Sequence, residues 1–316
     1  MTRVVTGSRL HFGLFHVPVD GLTHWPDGTP VRKFGGVGVM VNVPEIVVRV
    51  ERAEEWEAVG PLAERALAFA RRVSDSRVSF RVEVERCPPE HVGLGVGTQL
   101  GMAVGTAVAT ELRKSLTARD VATLVGRGER SGIGVHGFAH GGLIVDGGKS
   151  DGTAVGLPLA RLAWPTEWPI VLARPRVTPG CHGDRERAAF ARSRSPAAAL
   201  RTAERLTRLG LLGLVPALIE RDFVAFASAV YEFNRAAGEP FAADQGGVYA
   251  SAEVDALISR IRTLGVDGCG QSSWGPTVFA VCRDPDQAAF LAENLSDSTD
   301  VTITTGKNDG AAHSNT

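Results

Sequence analysis

Pro89-Glu90-His91-Val92-Gly93-Leu94-Gly95-Val96-Gly97-Thr98-Gln99-Leu100-Gly101 is the stretch on which the reading of the fold turns. The preceding residues alternate as VSFRVEVE, which predicts a strand over 77–85. Behind the stretch, residues 97–114 are small and apolar, which predicts a helix. A glycine-dense strand-to-helix link lets the backbone approach a ligand closely, and the first amides of the helix point at whatever binds there. Phosphate or diphosphate is the natural guest, with the Thr98 hydroxyl as a further donor. A tight turn with no ligand is the plainer alternative, but the loop is long and leads straight into the helix.

Working outward, the N-terminal third reads as strands at 4–15 and 38–52 joined by a loop holding Pro26, Asp27-Gly28 and Pro30. Helices are expected over 61–73 and over 118–127, the second capped by Thr117. Residues 134–148 are read as strand around Leu143-Ile144-Val145-Asp146. The stretch 152–169, rich in glycine, proline and tryptophan, is read as a connection. Helices are then expected over 196–212, 219–237 and 251–264, followed by a glycine loop, a strand at 277–282, a helix at 286–294 and a strand at 301–305. The fold class is α+β in two domains, 1–155 and 156–305, with 306–316 as a disordered tail because it is small and polar.

Composition narrows the function classes. The 34 Lys and Arg against 35 Asp and Glu leave a net charge of −1, so no global field favours nucleic acid or acidic membranes. One local excess stands out: Arg174 to Arg208 holds nine Arg against three acids, and reads either as a solvated face or as lying near an anionic ligand. The four cysteines (Cys87, Cys181, Cys269, Cys282) lie far apart, matching neither a zinc pattern nor a disulfide framework. No signal-peptide core and no membrane-length apolar run occurs, so a cytoplasmic location is expected.

Other phosphate motifs fare worse. No G-x-x-x-x-G-K-[ST] is present. The string Gly132-Ile133-Gly134-Val135-His136-Gly137 has the dinucleotide spacing but is read as leading into a strand, which argues against that role. A second glycine loop, Gly268-Cys269-Gly270-Gln271-Ser272-Ser273-Trp274-Gly275, precedes the strand TVFAV and is expected to face the first loop across a cleft. Near the N-terminus lie Ser8-Arg9-Leu10-His11-Phe12-Gly13 and Arg32-Lys33-Phe34-Gly35-Gly36.

Taken in order, these elements resemble the GHMP kinase superfamily; Pro89, Gly93, Leu94 and Gly95 fit its P-x-x-x-G-L-G motif literally. More narrowly, SRLHFGL, RKFGGVGVM, the GLGVGTQLG loop, RSGIGVHGFAHGGLIVDGG and GCGQSSWGPTVFAV look like the β-ribofuranosylaminobenzene 5′-phosphate synthases. The resemblance implies a GHMP-kinase-like two-domain fold and a decarboxylating phosphoribosyl transfer. Phosphoribosyl pyrophosphate and 4-aminobenzoate (or 4-hydroxybenzoate) would give a C-riboside phosphate, carbon dioxide and diphosphate in methanopterin biosynthesis. It implies Mg²⁺, small-molecule substrates and a homodimer, with no nucleic-acid or membrane partner.

By resemblance and chemistry, Gly93, Gly95, Gly97 and Thr98 are the expected phosphate cradle. Arg9, His11, Arg32 and Lys33 are the expected catalytic set, Arg being suited to bidentate contact with carboxylate or phosphate. His11 reads equally as a structural hydrogen-bonding residue. His136, Gly270, Gln271 and Ser272 are expected at the substrate, His136 with a structural role as an even alternative. Metal ligands are left unassigned. The competing reading is an ATP-dependent small-molecule kinase of the same superfamily. Kinases usually carry an acid shortly after a Ser-Gly pair, whereas Ser131-Gly132 is followed here by Ile-Gly-Val-His.

Overall fold

A computed structural model of the chain describes residues 1–74, 78–176 and 195–315. The chain runs through β1 (Thr2–His16), β2 (Phe34–Ala53), β3 (Glu57–Val59), α1 (Ala63–Val73), β4 (Ser79–Arg86), α2 (Val96–Glu111), α3 (Ala118–Leu124), α4 (Ile133–His140), β5 (Leu143–Asp146) and β6 (Pro158–Leu162). It continues through β7 (Ile170–Pro175), α5 (Pro196–Thr207), a π-helical segment (Arg208–Leu214), α6 (Val215–Glu220), α7 (Phe223–Gly238) and a 3₁₀ turn (Glu239–Phe241). The last elements are α8 (Ala242–Gln245), α9 (Ala252–Thr263), β8 (Cys269–Gln271), β9 (Val278–Val281), α10 (Pro285–Leu295), β10 (Thr299–Thr304) and β11 (Ala312–Asn315).

Two sheets carry these elements. The larger has the order β11-β1-β2-β4-β3, and the long β2 also pairs through its first residues with β5, which pairs in turn with β6. The smaller has the order β10-β7-β9-β8. Helix α2 is buried on almost every side, as its run of small and apolar residues requires, and it lies on β1 and β2. Gln99, fully buried within it, accepts from Thr6 Oγ1 at 2.9 Å and donates to Gly134 O at 2.8 Å. One side chain therefore ties α2 to β1 and to α4. Helix α1 packs Ala66, Phe69, Ala70 and Val73 along one face, the i, i+3, i+4, i+7 stripe of an amphipathic helix. Thr117 caps α3 through a reciprocal bond with Asp120, as its position before the helix predicts.

Two expectations change. Residues 134–148 are not one strand: Ile133–His140 is helical and only Leu143–Asp146 is extended. Glycine makes the helix possible, because a Cβ at Gly137 would stand 2.6 Å from Met40 Cγ on β2. Residues 306–315 do not form the expected disordered tail. Ala312–Asn315 pairs antiparallel with Thr2–Val5, and Asn308 accepts from Trp164 N at 2.7 Å while donating to Trp164 O at 2.9 Å. Small polar residues can be held by partners that lie far away in sequence. Packing also runs across the expected boundary at 155/156. β6 stays in the larger sheet, and Leu206, Phe226, Val230 and Phe233 share one core with β1 and β2. A second core lies between the smaller sheet and α9 and α10. Trp164 and Trp168 pack on Phe226 where the two halves join.

Removing the Asn308 amide leaves both backbone polar groups of Trp164 without their partner. We expect Asn308→Ala to lower unfolding stability by about 1–2 kcal/mol in urea titration. An unchanged transition would mean that 306–311 adds nothing to the fold.

Candidate active site

Three segments far apart in sequence meet at one place. Gly93 and Gly95 have φ of 90° and 67°, so the chain turns there in a region that side chains rarely adopt, and Gly95 caps α2. This turn is tied to β1 by Arg9 N donating to Leu94 O at 2.9 Å. It is tied to the second glycine loop by Ser272 Oγ donating to Gly93 O at 2.7 Å. Ser272 Oγ also accepts from His11 N at 3.1 Å, and Ser273 N donates to His11 O at 3.2 Å. The two loops touch directly: a Cβ at Gly275 would lie 2.1 Å from Gly93 N. Asn234 on α7 completes the joint, donating to Phe12 O at 2.6 Å and Gln271 O at 2.8 Å and accepting from Gln271 N at 2.8 Å.

A cleft opens beside this joint. Arg9, His11, Thr98 and Gln271 are on its wall. Gly93 and Gly95 form the adjoining turn, and a Cβ at Gly95 would lie 3.1 Å from Arg9 Nε. Ser272 and Gly270 stand behind the wall and hold it. Sequence reasoning missed Arg127 and Arg130, which line the same cleft between α3 and α4. Trp274 lines the cleft as well, edge-on to Phe241 with ring centroids 4.7 Å apart. The signal for the arginines is the short run Gly126-Arg127-Gly128-Glu129-Arg130-Ser131, where charges interleave with glycine just ahead of the Ser131-Gly132 pair.

Other expected site residues are elsewhere. Arg32 is exposed; its Nε donates to Gly147 O at 2.8 Å and its Nη2 to Gly148 O at 2.7 Å, so it braces a turn and does not line the cleft. Lys33 pairs with Asp151 at 2.5 Å. Two backbone carbonyls hold Arg32 and a neighbouring acid holds Lys33. His136 Nε2 is 2.8 Å from Gly156 O, and the residue does not line the cleft. It shares a helix face with His140, four residues on, but among the described residues no group of three His, Cys, Asp or Glu is arranged to hold a metal. The 132–137 glycine string opens α4, and the turn before it, not a strand, is what denies it the dinucleotide context. Asp146 accepts from Gly132 N at 2.5 Å and Gly148 N at 3.0 Å, so it fixes the start of α4; its burial raises its pKa. Of the arginine-rich run, residues 177–194 lie outside the described residues; Arg174 and Arg176 pair with Asp300, and Arg205 with Glu232 and Glu239.

The electrostatics of the cleft are one-sided. Glu129 is the one carboxylate on its wall among the described residues, against Arg9, Arg127 and Arg130. Arg127 is pulled down to about 10, first by burial and then by Arg65, Arg72 and Arg130. His11 is held well below its usual value by burial, then by Arg9 and Arg130. A neutral His11 is therefore the working form, able to donate or accept a hydrogen bond but not to add charge.

Comparison with known proteins places this geometry. Residues 61–142 match the GHMP kinases N terminal domain, and residues 214–300 match the GHMP kinases C terminal domain. The chain is 34% identical to the beta-ribofuranosylphenol 5'-phosphate synthase of Methanothermobacter thermautotrophicus over 97% of this chain and 96% of that protein. It is 32% identical to the protein of the same name from Archaeoglobus fulgidus, over 89% of this chain and 88% of that one. Among solved structures it is similar to homoserine kinase from Cytophaga hutchinsonii (TM-score 0.67, 14% identity, 99% of this chain and 97% of that). It is also similar to mevalonate pyrophosphate decarboxylase from Streptococcus pyogenes (TM-score 0.68, 12% identity, 98% and 97%). At such identities these two show the fold alone.

The His11 environment has a measurable consequence. The unfolded chain takes up a proton on this histidine near pH 6.5 and the folded chain does not, so stability falls as pH drops below that value. We expect His11→Gln to flatten this fall by up to one proton, about 1.4 kcal/mol per pH unit, between pH 6 and pH 5. Urea titrations at several pH values measure it; parallel slopes for the two proteins would contradict a neutral buried His11.

Proposed function

The chain belongs to the beta-ribofuranosylphenol 5'-phosphate synthase family, on the GHMP kinase fold, and from that premise we propose how its cleft carries out the reaction. It is a pentosyltransferase acting at the methanopterin-pathway step that joins a phosphoribosyl group to an aromatic ring. We propose that the donor is phosphoribosyl pyrophosphate and the acceptor 4-hydroxybenzoate. The phenol in the relatives' name supports the hydroxy acid over 4-aminobenzoate.

The bond from ribose C1 to the diphosphate oxygen breaks, and its electron pair leaves with the diphosphate. The ring carbon bearing the carboxylate bonds to C1, helped by electron release from the para hydroxyl. Carbon dioxide then departs, leaving its bonding pair to restore the aromatic ring. No nucleophilic side chain and no ATP is required.

The observation that carries this reading is a cleft lined by Arg9 and Thr98, next to the turn at Gly93 and Gly95, and also by Phe241 and Trp274. Cations and free helix amides suit phosphate oxygens, and aromatic faces suit a flat ring. Arg9 would hold phosphate oxygens, Thr98 would add a hydroxyl bond, and neutral His11 would orient substrate by hydrogen bonding. Mg²⁺ bound to a diphosphate keeps several waters and asks for one or two protein oxygens. Glu129 on the wall, with Thr98 Oγ1, fits that demand, and the metal would neutralise leaving-group charge. Among the described residues no helix is long and apolar enough to cross a membrane. A cytoplasmic location and a homodimer belong to the same proposed reading.

Release of labelled carbon dioxide from carboxyl-labelled substrate tests it. We expect release only when phosphoribosyl pyrophosphate is present, with kcat/KM for 4-hydroxybenzoate at least tenfold above that for 4-aminobenzoate. Arg9→Gln should lose tenfold or more in kcat/KM. Release without the phosphoribosyl donor would sink the assignment; preference for the amino acid would sink only the choice of acceptor.

A further inference from the structure

More positive charge faces the first turn of α2 than the fold requires. An atom at the Cβ position of Gly97 would lie 2.9 Å from Arg65 Nη2 and 3.5 Å from Arg127 Nη2, so two guanidinium ends meet over this turn. Arg65 is occupied by Glu90, and Arg72 Nη1 donates to Val125 O at 3.0 Å. Arg127 differs: its Nε is buried without a hydrogen-bond partner among the described residues. Its guanidinium carbon stands 5.0 Å from the centre of the Phe69 ring, and its side chain lines the cleft.

We propose that Arg127 binds the departing diphosphate of the phosphoribosyl donor, opposite the amides of the Gly95–Thr98 turn, and that it destabilises the protein when that anion is absent. This rests on the synthase reading. Two observations support the cost. A buried donor with no partner loses its hydration and gains nothing in return. Arg65, Arg72 and Arg130 also press like charge on the same place, and Glu90 and Glu129 offset only part of it. The contact with Phe69 is not a sufficient reason for a charge here, since an apolar side chain would pack on that ring equally well.

A diphosphate reverses both costs. It supplies acceptors to the guanidinium and cancels the repulsion among its neighbours. Its charge grows as the C1–O bond breaks, so Arg127 interacts more strongly in the transition state than with bound donor. The 5-phosphate is the other anion on the same substrate. The larger charge belongs where guanidinium groups are densest, which is the Arg65–Arg127–Arg130 side and not the side holding Phe241 and Trp274.

The test is thermal unfolding of the full chain, wild type, Arg127→Met and Arg127→Lys, with pyrophosphate alone, ribose 5-phosphate alone, or neither. At a hundred times its Kd, pyrophosphate should raise the wild-type midpoint by about 5 °C. Arg127→Met should melt at or above the wild-type temperature without ligand, lose half or more of the pyrophosphate shift and keep the ribose 5-phosphate shift. Arg127→Lys should fall between. In turnover, pyrophosphate should inhibit the Met variant at least tenfold more weakly, with KM for the benzoate unchanged. A Met variant that melts lower and keeps the full pyrophosphate shift would show that Arg127 only supports the fold. Loss of the ribose 5-phosphate shift with the pyrophosphate shift intact would move Arg127 to the other phosphate and overturn the proposal. A wild type that turns over benzoate yet shows no pyrophosphate shift would also overturn it, while leaving the synthase reading intact.

Discussion

Asn234 holds the cleft together. Its side-chain amide donates to the backbone of β1 and to the backbone of β8, and its carbonyl accepts from the same β8 residue. Helix, strand and loop are thus locked by one buried group whose partners are all main chain. Buried polar groups tolerate few arrangements, because each lost bond leaves a partner desolvated and unmatched. The geometry around it follows. With β1 and the 270–275 loop fixed, Ser272 can reach both His11 N and Gly93 O, and the α2 turn has one position to occupy. Larger residues are excluded at Gly93 and Gly275 by backbone atoms on the facing loop. A cleft wall made from three distant segments is thereby held in one shape.

Charge is distributed around that frame in a way that separates tasks. The arginines gather on the side of α2 and the Gly126–Ser131 turn, whereas burial lowers the pKa of His11 and His16. Asp146, the buried acid nearby, turns its oxygens to the amides of Gly132 and Gly148, away from any role as a base. This arrangement suits a reaction that must accept departing negative charge without a proton transfer. The kinase-type acid after Ser131-Gly132 is replaced by apolar residues that pack α4 into the core.

Some of this was legible in the amino acids and some was not, for physical reasons. The Gly93–Gly97 turn could be read because positive φ leaves a compositional trace, and the α2 core helix because small apolar residues continue for four turns. Arg9, His11 and Gln271 could be placed because strand alternation and the glycine loops bracket them. Helix α4 was read as strand because its glycines answer to Met40 and Thr98, neighbours that only the tertiary fold supplies. Arg32 carried a family motif but found its partners in the carbonyls of Gly147 and Gly148, which sit more than a hundred residues away. Arg127 sits in a glycine-and-charge run that signals a turn, but nothing local marks it as facing α2. Residues 312–315 looked like a polar end because the strand that receives them is β1.

That last pairing bears on how the protein is made. β1 and β2 are neighbours in sequence and can pair as soon as both have left the ribosome, whereas β11 follows β2 by some 260 residues. At roughly 5–20 residues per second, the outer edge of β1 at Thr2–Val5 stays uncovered for tens of seconds. Its exposed row of amides and carbonyls can recruit a strand from another nascent chain during that interval. Synthesis rate and chaperone supply, rather than the stability of the finished fold, would then limit the yield of this protein in a foreign host.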